Sequence, residues 1–234
     1  MSEEFLTLGV LGGMGPAATL DFLAKLQALT PVESEADHIR VIADINPQVP
    51  DLHTAGSEAG AVLAEMAGAL RGAGAEVLAM PCNSAHAHAD LIQHASGLPL
   101  IDMIGLGAEA AASDGILRCG VLGARGALRL YREYLAARGV GIVVLAPERQ
   151  EAFMATLDRI KSGDRSPDLG ETMRDHARDL VAAGAEAVIA GCTEIPLVLT
   201  QAQAGATLID PTELLARSCV AVCLGLEPAP RAPT

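Results

Sequence analysis

Short, unbroken apolar runs alternate along this chain with longer alanine-rich stretches whose apolar positions recur every three or four residues. The short runs lack the in–out alternation of a half-exposed strand, so they read as strands buried on both faces of a parallel sheet. Such runs fall at 6–11, 39–44, 77–80 and 100–101 in the first half, and at 117–122, 141–145, 187–190 and 208–209 in the second. Helical periodicity fills the gaps at 16–29, 58–72, 125–138 and 169–183, and again at 212–224. Gly72, Gly139 and Gly184 stand where helix C-caps are wanted. Strand and helix in strict alternation predict an α/β fold with parallel sheets.

The halves repeat one another. Gly74-Ala75-Glu76-Val77-Leu78-Ala79-Met80-Pro81-Cys82-Asn83 is echoed by Gly184-Ala185-Glu186-Ala187-Val188-Ile189-Ala190-Gly191-Cys192-Thr193. Gly9-Val10-Leu11-Gly12-Gly13 matches Gly120-Val121-Leu122-Gly123-Ala124, and Leu100-Ile101-Asp102 matches Leu208-Ile209-Asp210. Offsets of 111, 110 and 108 residues between these pairs argue for an internal duplication. The expected architecture is two pseudo-symmetric α/β domains, each a parallel sheet of about four strands flanked by helices, with the active site in the cleft between them. Residues 1–104 and 208–226 form the first domain and 105–207 the second; 227–234, rich in proline, reads as a disordered tail.

Composition narrows the function. Half of the 234 residues are hydrophobic, yet only 2% are aromatic and there is no tryptophan. The cores must therefore be aliphatic, and stacking platforms for nucleic acid are missing. A net charge of −13 repels phosphate backbones. No long uninterrupted apolar span exists either, so neither nucleic acid nor membrane is an expected partner. Met1-Ser2-Glu3-Glu4 is acidic where a secretory leader would be basic, so the expectation is a cytoplasmic protein. In a reducing compartment its five cysteines, none in a Cys-x-x-Cys pair, are expected as thiols.

In open α/β sheets ligands bind beyond the carboxyl ends of the strands. Gly12-Gly13-Met14-Gly15-Pro16, Asn46-Pro47-Gln48, Cys82-Asn83-Ser84, Gly123-Ala124-Arg125 and Cys192-Thr193-Glu194 occupy those ends. Cys119, Cys219 and Cys223 read as small core hydrophobes, the usual fate of a buried cysteine. Cys82 and Cys192 each end a strand and are expected to open a helix, whose N-terminal amides favour an anion. Two equivalent thiols, one per domain, suit inversion of a stereocentre: one thiolate removes a proton, and the other thiol returns one to the opposite face. The glycine loop does not have the Gly-x-Gly-x-x-Gly spacing of a dinucleotide site and is read as letting the backbone approach a small ligand. His86, Asp90 and His94, four apart, read as a solvated helix face rather than a metal site.

Gly12-Gly13-Met14-Gly15-Pro16, Asn46-Pro47-Gln48-Val49-Pro50-Asp51, Met80-Pro81-Cys82-Asn83-Ser84-Ala85-His86 and Gly191-Cys192-Thr193-Glu194-Ile195 resemble the aspartate/glutamate racemase superfamily, in particular its cofactor-independent aspartate racemases. The resemblance implies an amino-acid racemase without cofactor or metal, a small amino-acid substrate, a homodimer, and catalysis by Cys82 and Cys192. It assigns substrate contacts to Met14, Gln48, Asn83, Ser84, Thr193 and Lys161. Where those racemases place an arginine after Pro-Asp, this chain has Leu52-His53. Leucine cannot replace a bidentate guanidinium, and His53 is the remaining group there with a charge to offer. Isomerisation or decarboxylation of a small diacid, and amino-acid binding without catalysis, are the rival readings.

Overall fold

The computed structural model describes residues 5–52 and 54–232. The chain forms two compact units, one made of residues 1–103 and 212–234 and the other of 104–211.

The first unit contains β1 (Leu8–Gly12), α1 (Pro16–Leu29), β2 (Val41–Ile45), α2 (Gly56–Gly72), β3 (Val77–Ala79) and α3 (Ala89–Ser96). The second runs through α4 (Met103–Ser113), β4 (Arg118–Leu122), α5 (Arg125–Ala136), β5 (Gly141–Val143), α6 (Pro147–Lys161), α7 (Asp168–Ala182), β6 (Ala187–Ala190) and β7 (Thr207–Ile209). The last helix, α8 (Pro211–Cys223), falls almost wholly in the first unit, where Leu6 N–H donates to the Cys223 carbonyl at 3.0 Å. All strand pairs are parallel, in the order β2-β1-β3 in one sheet and β5-β4-β6-β7 in the other.

The two orders are the same once Leu100 is added. Leu100 pairs with Leu78 as a single parallel bridge and takes the place that β7 holds beside β6. The expected fourth strand of the first sheet is thus cut to one rung. Pro99 has no N–H to give, so only its carbonyl enters the ladder, accepting from Leu78 N–H at 2.8 Å. Met103 then opens α4 and ends the run.

Gly-Ala-Glu recurs because it does the same three jobs in each unit. Gly74 and Gly184 take positive φ (101° and 94°) just after α2 and α7, a backbone region that costs other residues strain. Ala75 and Ala185 then donate back to Leu70 O and Leu180 O, both at 3.0 Å, closing each helix end. Glu76 and Glu186 each bracket the start of a neighbouring strand. Glu76 Oε2 accepts from Thr7 N–H at 2.8 Å, and Glu186 Oε2 from Leu117 N–H at 3.0 Å. Their own N–H groups donate to Thr7 O and Arg118 O, both at 2.9 Å.

β1, β3 and β6 are buried throughout, and β4 from its second residue. The second unit's core packs Phe153, Leu157, Met173 and Leu180 from α6 and α7 over Val188 and Ala190. His176 of α7 is fully buried there, edge-on to Phe153 with ring centroids 5.7 Å apart. Neither of its ring nitrogens has a hydrogen-bond partner among the described residues. Burial lowers its pKa first, and Arg149 lowers it further against the opposing pull of Asp179 and Asp175. His86 is lowered by burial too.

A lowered pKa means that the folded chain holds these rings neutral while the unfolded chain takes up a proton below pH 6.5. Stability is therefore complete above 6.5 and is lost as the pH falls below it. The loss is at most about 1.4 kcal/mol per pH unit for each ring. Urea unfolding at pH 7.5 and 5.5 should show this drop, and His176→Phe should reduce it.

Candidate active site

Cys82 lies three residues past the end of β3 and is 7% exposed. Its N–H donates to Met80 O at 2.8 Å, so the chain turns sharply there. The turn is clamped by His86. Met103 N–H donates to His86 Nε2 at 3.3 Å, which makes Nε2 the acceptor and leaves Nδ1–H to donate to Cys82 O at 2.9 Å. A neutral ring suits both bonds, and burial favours the neutral form. The reading of His86 as part of a solvated face is thus corrected: it is 6% exposed and fully engaged. His94 instead turns Nδ1 to the Asp90 carbonyl at 2.6 Å. No group of three potential metal ligands occurs among the described residues.

Met14, Val49 and Leu52 pack partly buried against the core cluster that contains Met80, Cys82 and Ala85, so the ends of β1, β2 and β3 converge in this unit. Asn83 is 2% exposed and Ser84 half-buried. Gln48 is exposed, with its N–H donating to Asn46 Oδ1 at 2.9 Å. His53 lies outside the described residues. The glycine loop also has a neighbour within the protein. Gly13, at φ 101°, passes so close to the Asn46 backbone that a Cβ would collide with it. Its N–H is taken by Thr19 Oγ1 at 2.9 Å.

In the second unit, Cys192 follows β6 by two residues and is half-buried. Gly191 lets the strand end pass β4, since a Cβ there would sit 2.9 Å from Leu122 O. Cys192 Sγ–H donates to Glu194 Oε2 at 2.9 Å. Glu194 is 2% exposed, and its Oε1 is buried without a hydrogen-bond partner among the described residues. Thr193, between them, is 1% exposed. Gln150 of α6 donates from Nε2 to Gly123 O at 3.0 Å and buries Oε1 beside the end of β4. Lys161 is the exposed last residue of α6, and Arg125 the exposed first residue of α5.

Neither cysteine opens an α-helix as the sequence suggested. Three-residue to five-residue 3₁₀ turns follow instead, Ser84–His88 after Cys82 and Ile195–Leu197 after Cys192. The His86 clamp tightens the first turn, and Pro196 sits inside the second. Turns this short carry little of a helix's dipole, so acidification of the thiols by an α-helix N-terminus loses its basis. From the sequence Glu194 had a place at a strand end but no role, and Gln150 was not singled out. Glu194 left a signal, a carboxylate in the otherwise uncharged stretch from Ala187 to Leu199, whereas Gln150 is one polar residue in a polar helix start.

The remaining cysteines are inert by environment. Burial pushes the thiols of Cys119 and Cys223 up to about 12, and that of Cys219 well above its ordinary value. Two parallel α/β units of one strand order thus each carry a cysteine just past the end of an equivalent strand, β3 in one and β6 in the other.

Comparison with known proteins agrees. Residues 11–219 match the Asp/Glu/Hydantoin racemase family, and the chain belongs to it. It is 24% identical to the broad specificity amino-acid racemase RacX of Bacillus subtilis (strain 168), over 94% of this chain and 99% of that protein. It is 32% identical to the glutamate racemase of Synechococcus sp. (strain CC9605), over 69% of this chain and 61% of that one. In fold it is similar to the Picrophilus torridus aspartate racemase, with TM-score 0.82, 24% identity and 94% of each chain covered. The aspartate racemase homologue from Pyrococcus horikoshii OT3 aligns with TM-score 0.76 and 23% identity, over 93% of this chain and 98% of that one.

Iodoacetamide applied to the native protein at pH 8 should modify Cys192 first, because it is the most exposed of the five thiols. Cys119, Cys219 and Cys223 should stay unmodified until the chain unfolds, as peptide mass spectrometry would show.

Proposed function

We propose that this chain racemises a polar amino acid without a cofactor, using Cys82 and Cys192 as its two bases, with aspartate the first substrate to test. The observation that carries the reading is the equivalent placement of these two cysteines, just past β3 and β6, in a chain of the racemase family. In one direction a thiolate takes the α-proton, so that the C–H bond breaks and an S–H bond forms. The carbon's electron pair spreads into the substrate carboxylate as an enediolate. The second thiol then gives its proton to the opposite face of the carbon. Asn83 and Thr193, flanking the two cysteines, are suited to hold the charge that develops on the carboxylate oxygens. Ser84, Gln48 and Met14 complete the first unit's contribution, and Lys161 meets a substrate carboxylate.

Cys82→Ala and Cys192→Ala should each abolish net racemisation across a panel of amino acids. Each single variant should still exchange the α-proton of one enantiomer in D2O, as followed by proton NMR. Near wild-type racemisation by either variant would remove the two-base reading.

The side-chain preference rests on Leu52. It packs on the first unit's core, so the position that would carry an arginine grip on a distal carboxylate is apolar here. Similarity to a racemase described as of broad specificity supports a site that does not insist on aspartate. A charge-assisted hydrogen bond contributes about 1.5–3 kcal/mol. Leu52→Arg should accordingly lower the KM for aspartate about tenfold or more while leaving that for alanine within about twofold. An unchanged aspartate KM would place the distal grip elsewhere, with Arg125 the first residue to test.

A further inference from the structure

We propose that Glu194 is a positioning residue that keeps Cys192 loaded with its proton. In this way it sets the resting enzyme with Cys192 as the proton donor. The catalytic consequence rests on the racemase reading above, whereas the state of the thiol does not.

Three observations converge on Glu194. Its Oε2 lies 2.9 Å from the Cys192 sulfur and accepts its S–H. The residue is 2% exposed, so water screens its charge poorly. Its second oxygen, Oε1, is buried without a hydrogen-bond partner among the described residues, so none of them draws the charge away from the sulfur on that side. A carboxylate held this close acts on the thiol in two ways of the same sign. It accepts a hydrogen bond that only the protonated sulfur can give, and it opposes a second negative charge on the sulfur. Both keep the proton on Cys192 until a carbanion takes it. When that happens the S–H bond breaks, a C–H bond forms on the substrate, and the thiolate is left beside the carboxylate. That arrangement is poor, so Cys192 is driven to recover a proton.

In the first unit His86 holds the Cys82 backbone carbonyl and fixes the turn there.

The test is the pH profile of Cys192 alkylation by iodoacetamide, read by mass spectrometry of the Cys192 peptide in wild type, Glu194→Gln and Glu194→Asp. Glutamine keeps the shape and removes the charge. Labelling at pH 7 should then rise about tenfold, and the two profiles should converge as the pH rises, to within about twofold at pH 10. Aspartate keeps the charge but withdraws it by one methylene, so its pH 7 rate should fall between the two. An unchanged or slower rate at pH 7 in Glu194→Gln overturns the proposal. A rise that persists undiminished at pH 10 also overturns it, because it reports loosened packing around the thiol. If Glu194→Gln does not fold, the Glu194→Asp profile decides by the same two criteria. Alkylation reads the thiol whether or not any amino acid is racemised, so loss of the functional reading would leave this result standing.

Discussion

A parallel strand covered on both faces can show reactive groups only at its ends. That constraint governs this molecule. β1, β3 and β6 are buried along their whole length, and only 2% of the chain is aromatic, so aliphatic side chains seal the sheets. What remains for chemistry is the first few residues beyond each strand's carboxyl end, and Cys82 and Cys192 stand there.

The position of each thiol is set from the far end of its strand. Glu76 and Glu186 bracket the strand beside them through both backbone and side chain, which pins the register at the start. Each cysteine follows its glutamate by six residues (82 − 76 and 192 − 186). A one-residue slip would turn every side chain of the strand to the other face. The repeated Gly-Ala-Glu…Cys spacing therefore acts as a ruler, with one end fixed by a carboxylate and the other carrying a sulfur. Beyond the strand the halves diverge, one thiol sitting on a turn clamped by a neutral imidazole and the other facing a buried carboxylate.

Much of this was legible in the residues. The apolar runs located the strands, and the glycines at 72 and 184 marked where α2 and α7 end, because both signals are local. The paired cysteines were legible because the duplication shows them twice. The shortened fourth strand was missed because a run such as Leu98-Pro99-Leu100-Ile101 does not announce that only one rung can form. The 3₁₀ turns after both cysteines were missed for a related reason: Pro196 and the His86 clamp act through geometry that apolar periodicity does not encode. His86 itself lies at a helical spacing from Asp90 and His94, yet its partners are Cys82 O and Met103 N–H, the latter 17 residues away. The carboxylate of Glu194 turns inward to the sulfur rather than outward to water, an orientation that its residue type does not encode.

The central claim, inversion of an α-carbon by two thiols of separate origin, is tested most directly by the isotope content of each enantiomer during the first turnovers in D2O. Two bases predict that the product enantiomer carries one deuterium at the α-carbon while the recovered substrate keeps its proton. Deuterium arriving equally in substrate and product from the start would indicate a single shuttling base, and no deuterium in either enantiomer of any amino acid would contradict the racemase account itself.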